Sequence, residues 1–231
     1  MKDTSVIGQR IKEHSTSTIK TMRELIFTPA EFFRKMPRSG GFVDPVIFVA
    51  SMSFVTGVIN LILWTMDKGF ATSLSNAFVG IVIMPVFSVI ASFISAAVLF
   101  IIWKVMGSSE SYETAYRCGA YAMAITPVII ILDVVPYIGS VIGFIWMAYI
   151  FVTASIEVHG IRKKMAWVVF GVLFGFFLIV NINAMYNSRH FSQEMEQLRK
   201  TSHDLDKLTT DETRETMKKS IEEMKKRFKN D

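Results

Sequence analysis

The stretch VIFVASMSFVTGVINLILWTM, Val46 to Met66, contains no charged side chain. An α-helix rises about 1.5 Å per residue and the hydrocarbon of a bilayer is about 30 Å thick, so a run of this length makes one crossing. Four more uncharged runs follow: Gly69 to Trp103, Cys118 to Leu132, Val134 to Ile156 and Met165 to Asn187. Helices of a soluble core are usually shorter and keep a polar face, so these runs select a membrane-spanning chain. In the second run GFATSLSN is polar enough to be loop, which leaves a helix over 77–103. The third crosses fully only as 115–135, which puts Arg117 and Asp133 at opposite interfaces, Arg117 with a stem long enough to snorkel to the headgroups. The remaining spans read as 46–66, 137–158 and 165–187. The expectation is an all-α polytopic integral membrane protein with five transmembrane helices, in keeping with 51% hydrophobic residues and a mean hydropathy of +0.39.

The chain then reads as an N-terminal segment 1–44, a five-span membrane domain 45–187 and a tail 188–231. With 1–44 ahead of the first span, no cleavable signal peptide is expected, and that span acts as its own insertion signal. Thr28-Pro-Ala-Glu31 is a capping box with proline at the first helical position, and Pro37 with Gly40-Gly41 stops the helix it starts. Such a helix, 29–36, is too short to stand alone in water. Phe32 and Phe33 beside Arg34, Lys35 and Arg38 suit an amphipathic helix in the headgroup layer; they equally suit packing on the loop between spans four and five. Ile19, Met22, Leu25 and Ile26 have helical apolar spacing and extend the element upstream.

Five spans put the chain ends on opposite faces. One face collects Lys2, Arg10, Lys12, Lys20, Arg23, Arg34, Lys35 and Arg38, then Lys104 and Arg117, then Arg162, Lys163 and Lys164 between spans four and five. Near the membrane the other face has Lys68, Arg189, Arg199 and Lys200, its remaining basic residues lying further along the tail. Short loops and positions close to the spans weigh most in the positive-inside rule, so the N-terminus is expected in the cytoplasm and the C-terminus outside. Phe32, Phe33, Arg34, Lys35 and the loop Arg162-Lys163-Lys164 then form an inner-face set suited to anionic headgroups of the lipid bilayer or to a partner.

Small residues let helices approach closely in lipid. Gly139 and Gly143 in the fourth span, and Gly171 and Gly175 in the fifth, are GxxxG pairs expected to pack inside the bundle, as are Ser88, Ser92 and Ala96 with Ser53 and Gly57. Pro85 and Pro127 each remove a helix donor, and Thr126 is placed to satisfy the carbonyl that Pro127 frees. Breaks of this kind also line substrate sites in transporters. Asp133 belongs to Asp133-Val-Val-Pro136, a tight reversal at the outer face, and Glu157 stands where the fourth span ends; interfacial placement is expected of both, with an ion pathway as the alternative. Paired intramembrane carboxylates, a G-x-S-x-G with an embedded histidine and a Gly-rich phosphate loop are all missing from the sequence. The single cysteine, Cys118, and His14, His159, His190 and His203 show no metal-ligand spacing. No catalytic residue, metal, cofactor or nucleic acid is expected.

Beyond Tyr186 the composition turns to charge. Phe191, Met195, Leu198, Ser202 and Leu205 step by four and three, as do Met217, Ile221, Met224 and Phe228. Thr209-Thr-Asp-Glu212 offers a fresh capping box, so two helices are expected with a break near 208–211. The tail admits a homo-oligomeric or protein-partner contact, or a solvated extension.

The run Gly107-Ser-Ser-Glu-Ser-Tyr112-Glu-Thr-Ala-Tyr-Arg117-Cys-Gly-Ala-Tyr121-Ala-Met-Ala-Ile-Thr-Pro127 is followed by Val135-Pro-Tyr-Ile-Gly139, Trp146 and Glu157-Val-His159-Gly-Ile-Arg-Lys-Lys-Met-Ala166. Together with Pro29-Ala-Glu-Phe-Phe-Arg-Lys-Met36, this resembles the Yip (Ypt-interacting protein) domain family in its bacterial form over about residues 25 to 185. The resemblance implies five helices, a cytoplasmic N-terminus and a bacterial cytoplasmic membrane. Eukaryotic members are implicated in vesicle traffic between Golgi and endoplasmic reticulum and associate with Rab-type GTPases. Their D-L-Y-G-P segment is missing here, where Gly41-Phe-Val-Asp44-Pro45 shares only an aspartate and a proline, so GTPase binding does not carry across. The leading expectation is a non-enzymatic protein that organises membrane or scaffolds partners. A small transporter, channel or lipid-moving protein is the alternative, and a membrane anchor subunit of a larger complex the third reading.

Overall fold

The computed structural model describes residues 18–68, 77–135 and 137–227, and among these every regular element is helical. Pro136, residues 69–76, the early lysines and arginine and Phe228 lie outside the described residues, as do the side chains of Leu205, Met217, Ile221 and Met224. The elements are α1 (18–27), α2 (Pro29–Lys35), α3 (Val43–Lys68), α4 (Met84–Val105), α5 (Tyr112–Ala122), α6 (Thr126–Leu132), α7 (Ile138–Glu157) and α8 (Lys163–Arg227). A π turn at Val79–Ile83 leads into α4, and a 3₁₀ turn at Met123–Ile125 joins α5 to α6.

Five segments are long and apolar enough to cross a bilayer: Val43–Met66, Val79–Val105, Tyr112–Leu132, Ile138–Glu157 and Lys163–Ser188. The third and fourth are about half buried within the protein, at 50% and 56%, against 22%, 11% and 11% for the others. The second and fifth present Ile94, Ile101 and Val172 at 60% exposure or more, a surface that lipid covers and water would not tolerate. The chain is an all-α polytopic membrane protein. It divides into two compact units, Met1–Val180 and Asn181–Asp231.

Packing inside the first unit follows the small residues. Helix α3 packs against α4, α5 and α6, and α6 packs against α7. Ser53 Oγ donates to Ser88 Oγ at 2.6 Å, and a Cβ on Gly57 would stand 3.0 Å from the carbonyl carbon of Gly80. Gly139 and Gly143 admit α6: their added Cβ atoms would stand 2.7 Å from Asp133 Cα and 2.8 Å from Ile129 Cδ1. Gly171 and Gly175 differ: among the described residues nothing stands within 4 Å of a Cβ at either position, so that GxxxG pair meets no neighbour there. Their face of α8 looks outward. Thr126 Oγ1 donates to the Met123 carbonyl, the one that Pro127 leaves without its helical N–H.

Two caps depart from expectation. Thr28 forms no side-chain cap on α2; α1 runs directly up to it, so its hydroxyl and its N–H both turn back to Glu24 O, at 3.1 and 2.7 Å. Glu31 lies instead 3.8 Å from Lys35. In the second unit, helix continues through Thr209–Glu212 without the expected break. A capping box starts a helix only where the chain has left one, and no glycine or proline interrupts 176–227. Phe191, Met195 and Leu198 are exposed along it.

The glycine contacts separate by substitution. Gly57→Ala and Gly139→Ala are expected to destabilise the purified protein in detergent by about 1–3 kcal/mol, since backbone rather than a movable side chain blocks the new methyl. Gly171→Ala and Gly175→Ala should stay within about 0.5 kcal/mol of the parent in the same denaturant titration.

Candidate functional site at the basic face

Glu110, Glu113, Thr114 and Arg117 recur at three- and four-residue spacing, so they share one side of the start of α5. Ser111 caps that start by accepting the Thr114 N–H at 3.2 Å. A polar stripe on a spanning helix cannot face hydrocarbon unpaired. Its partners come from the chain between α2 and α3. Arg38 Nη1 donates to Glu110 Oε1 at 2.6 Å, and Thr114 Oγ1 donates to the Arg38 carbonyl at 3.0 Å. Gly41 N–H donates to Glu113 Oε1 at 2.7 Å, while Arg117 Nη2 donates to Gly41 O at 2.7 Å and Arg117 Nε stands 3.4 Å from Glu113 Oε1.

Arg117 is 2% exposed, so it does not snorkel to the headgroups as its position in the third span suggested. A carbonyl and a carboxylate within the protein lie inside its reach. Gly40 and Gly41 make that possible with φ of +125° and +84°, and a Cβ on Gly40 would come within 3.1 Å of Arg117 Nη2.

The same stitching holds α2 against α7. Phe33 is 1% exposed and belongs to the core cluster of Leu25, Met36, Val158 and Ile161. Phe32 is half buried and meets Tyr121 edge-on, ring centroids 5.3 Å apart. Arg34 makes a two-pronged pair with Glu157, Nε to Oε2 at 2.7 Å and Nη2 to Oε1 at 2.9 Å. The Arg34 side chain is 63% exposed, so this pair orients α2 more than it stabilises it. Lys35, Arg162, Lys163 and Lys164 are exposed. Asp133 sits far along the chain from this cluster, in the α6–α7 turn, where it accepts the Ser140 hydroxyl at 3.3 Å. Pro85 stands in the first turn of α4, just after the π turn.

Beneath the clamp lies a buried polar knot. His159 stacks on Trp103 with ring centroids 3.9 Å apart, and Trp103 Nε1 donates to Ser155 Oγ at 2.8 Å, which passes its own proton to Phe151 O at 2.6 Å. Ser108 Oγ accepts the Glu110 N–H at 3.2 Å and lies 2.8 Å from His159 Nδ1. On the other side of the ring, His159 Nε2 lies 3.9 Å from Cys118 Sγ. Burial, with the cations Arg38 and Lys104 nearby, lowers the imidazole from the usual 6.5 to about 4. The knot therefore holds His159 neutral.

Glu110, Glu113, Thr114, Ser108 and Trp103 were not singled out from the sequence, and Arg38 was named only as a cation beside α2. The signal was there in the spacing of Glu110, Glu113, Thr114 and Arg117 on a span otherwise apolar. Each carboxylate of that stripe engages an arginine or a backbone N–H, so the arrangement joins chain segments.

The neutral histidine sets a pH dependence. Between pH 6.5 and about 4 the unfolded chain binds a proton that the fold excludes, so stability is complete above this window and falls as the pH drops through it. The whole loss amounts to about 3 kcal/mol. Thermal unfolding in detergent should show a smaller drop between about pH 7.5 and about pH 5 for His159→Asn than for the parent, isolating this ring from the carboxylates that titrate alongside it.

No curated protein and no solved structure gives a significant match to the chain. A family model described as the Yip1 domain does match, over residues 23–182. That range takes in α2, the clamp on α5, the knot around His159 and nearly all of the five spans. This integral membrane protein belongs to the Yip1 domain family.

Proposed function

We propose that the chain is a non-enzymatic membrane protein that organises membrane or scaffolds partners. Its basic face would lie in the cytoplasm and its tail outside, in a bacterial cytoplasmic membrane. The observation that carries this reading is the docked α2. Phe33 holds it to the bundle and Arg34 orients it on Glu157, while Phe27, 75% exposed, Lys35 and Arg162–Lys164 stay open to a headgroup layer or a partner. In this reading 1–44 supplies the docking helix, 45–187 the membrane domain and 188–231 a further contact through Phe191, Met195 and Leu198. The last is also the basis for reading the chain as an anchor subunit.

One observation favours transport as the second reading: a groove of about 680 Å³ with Asn60, Trp64 and Asp133 in its wall. The two readings part on flux. In proteoliposomes the folded protein is expected to pass neither ions nor lipid above protein-free vesicles. A flux that Asp133→Asn abolishes would put transport first.

Orientation is tested separately. A maleimide that does not cross bilayers should label Ser202→Cys on intact cells and Lys35→Cys only after permeabilisation, with native Cys118 silent because it is buried. The reverse pattern would invert the assignment.

A further inference from the structure

The cations of the basic face differ in what surrounds them. Arg34, Arg38 and Arg117 each have a carboxylate oxygen within 3.4 Å. Arg162, Lys163 and Lys164 make no ion pair among the described residues, and all three are exposed. Glu157, the nearest carboxylate along the chain, is already held by Arg34.

These three cations leave the protein from a fixed frame. Val158, His159 and Ile161 are each less than 8% exposed. The Val158 and His159 N–H groups donate to Ala154 O at 3.0 and 3.3 Å, and the Ile161 N–H to Ser155 O at 2.9 Å, with Gly160 turning the chain at φ +65°. His159 is pinned in turn by Ser108 and Trp103. Little ordering is left for a ligand to impose.

Below the cations a groove of about 620 Å³ runs beside α8, between Arg162–Lys164 and the apolar side chains of Met165, Val168 and Val169. Lys163 opens the fifth span, and Val169 lies about 9 Å deeper at the helical rise. Charge at headgroup level above an apolar wall at acyl depth matches one class of molecule. We propose that this groove binds a single anionic phospholipid, its phosphate among Arg162, Lys163 and Lys164 and one acyl chain along Met165, Val168 and Val169. A zwitterionic lipid offers the same phosphate, but its ammonium would meet three cations that have no carboxylate partner among the described residues. The site therefore selects for net negative charge. The inference deepens the scaffold reading, on which its use in organising membrane rests.

The test is retained-lipid measurement by native mass spectrometry, on the full chain released from nanodiscs of mixed phosphatidylglycerol and phosphatidylcholine. One phosphatidylglycerol per protein should be retained in preference to phosphatidylcholine. Arg162→Gln, Lys163→Gln and Lys164→Gln should each weaken it about fivefold, and Lys20→Gln should not. Val168→Trp fills the groove without changing charge and should also release the lipid, with unfolding temperature checked to exclude a folding defect. Equal retention of both lipids, or full retention by the triple glutamine variant, would overturn the proposal. So would unchanged retention in Val168→Trp, or displacement by glycerol phosphate as readily as by lipid, because either would leave only an anion-attracting surface. Retention is read without flux, so its failure leaves the scaffold reading to the proteoliposome result.

Discussion

A guanidinium buried at the edge of a bilayer has to be answered from within the protein, and the third span carries one. Arg117 is almost wholly enclosed, and losing its partners would leave a charge with no water to turn to. Its answer is a closed ring: Arg117 donates to Gly41 O, Gly41 N–H donates to Glu113, and Glu113 stands beside Arg117 one helical turn away. That ring needs one residue to turn both its N–H and its carbonyl toward α5, which two consecutive glycines at positive φ provide. One buried charge thereby dictates the path of the chain between α2 and α3.

The position of α2 follows. Once residues 38–41 are tied to α5, the helix ahead of them has only a short tether, and Phe33 and Met36 fall into the core beside Val158 and Ile161. Arg34 then reaches Glu157, which fixes the end of α7 and the turn after it. The same turn carries His159 into the knot with Trp103 and Ser108. Elements far apart in sequence meet at one end of the bundle because each supplies a polar group that another must satisfy.

The spans were legible because they depend on composition alone: charge-free runs of sufficient length have one common use. The pairing of Thr126 with the carbonyl freed by Pro127 was legible for a similar reason, being local chemistry. What failed was local chemistry that a neighbour overrode. Thr28 has the sequence of a cap, yet α1 arrives in helical form and claims its hydroxyl. Gly171 and Gly175 have the sequence of a packing motif, but a motif does not state which neighbour faces it, and none does among the described residues. Arg117 does not point to the headgroups as expected, since its partner lies 76 residues earlier in the chain. The stripe of Glu110, Glu113, Thr114 and Arg117 would have corrected that, had helical spacing been applied to polar residues as it was to apolar ones.

The distribution of polar contacts also separates what holds the protein together from what it can offer. Glu110, Glu113 and Glu157 are committed inward, to Arg34, Arg38, Arg117 and the Gly41 N–H. Net charge there stays positive, and the turn opening α8 carries three cations that make no ion pair among the described residues. A flexible loop would spread this charge over many positions and attract any anion weakly. Here the turn is pinned by its backbone hydrogen bonds and by His159, so the same residues that close the fold also fix the backbone from which the cations project. Rigidity at the knot and recognition at the loop are one structural property. The family match, residues 23–182, contains both and leaves most of the second unit outside it, so the charged helix beyond Asn181 brings chemistry of its own to this chain.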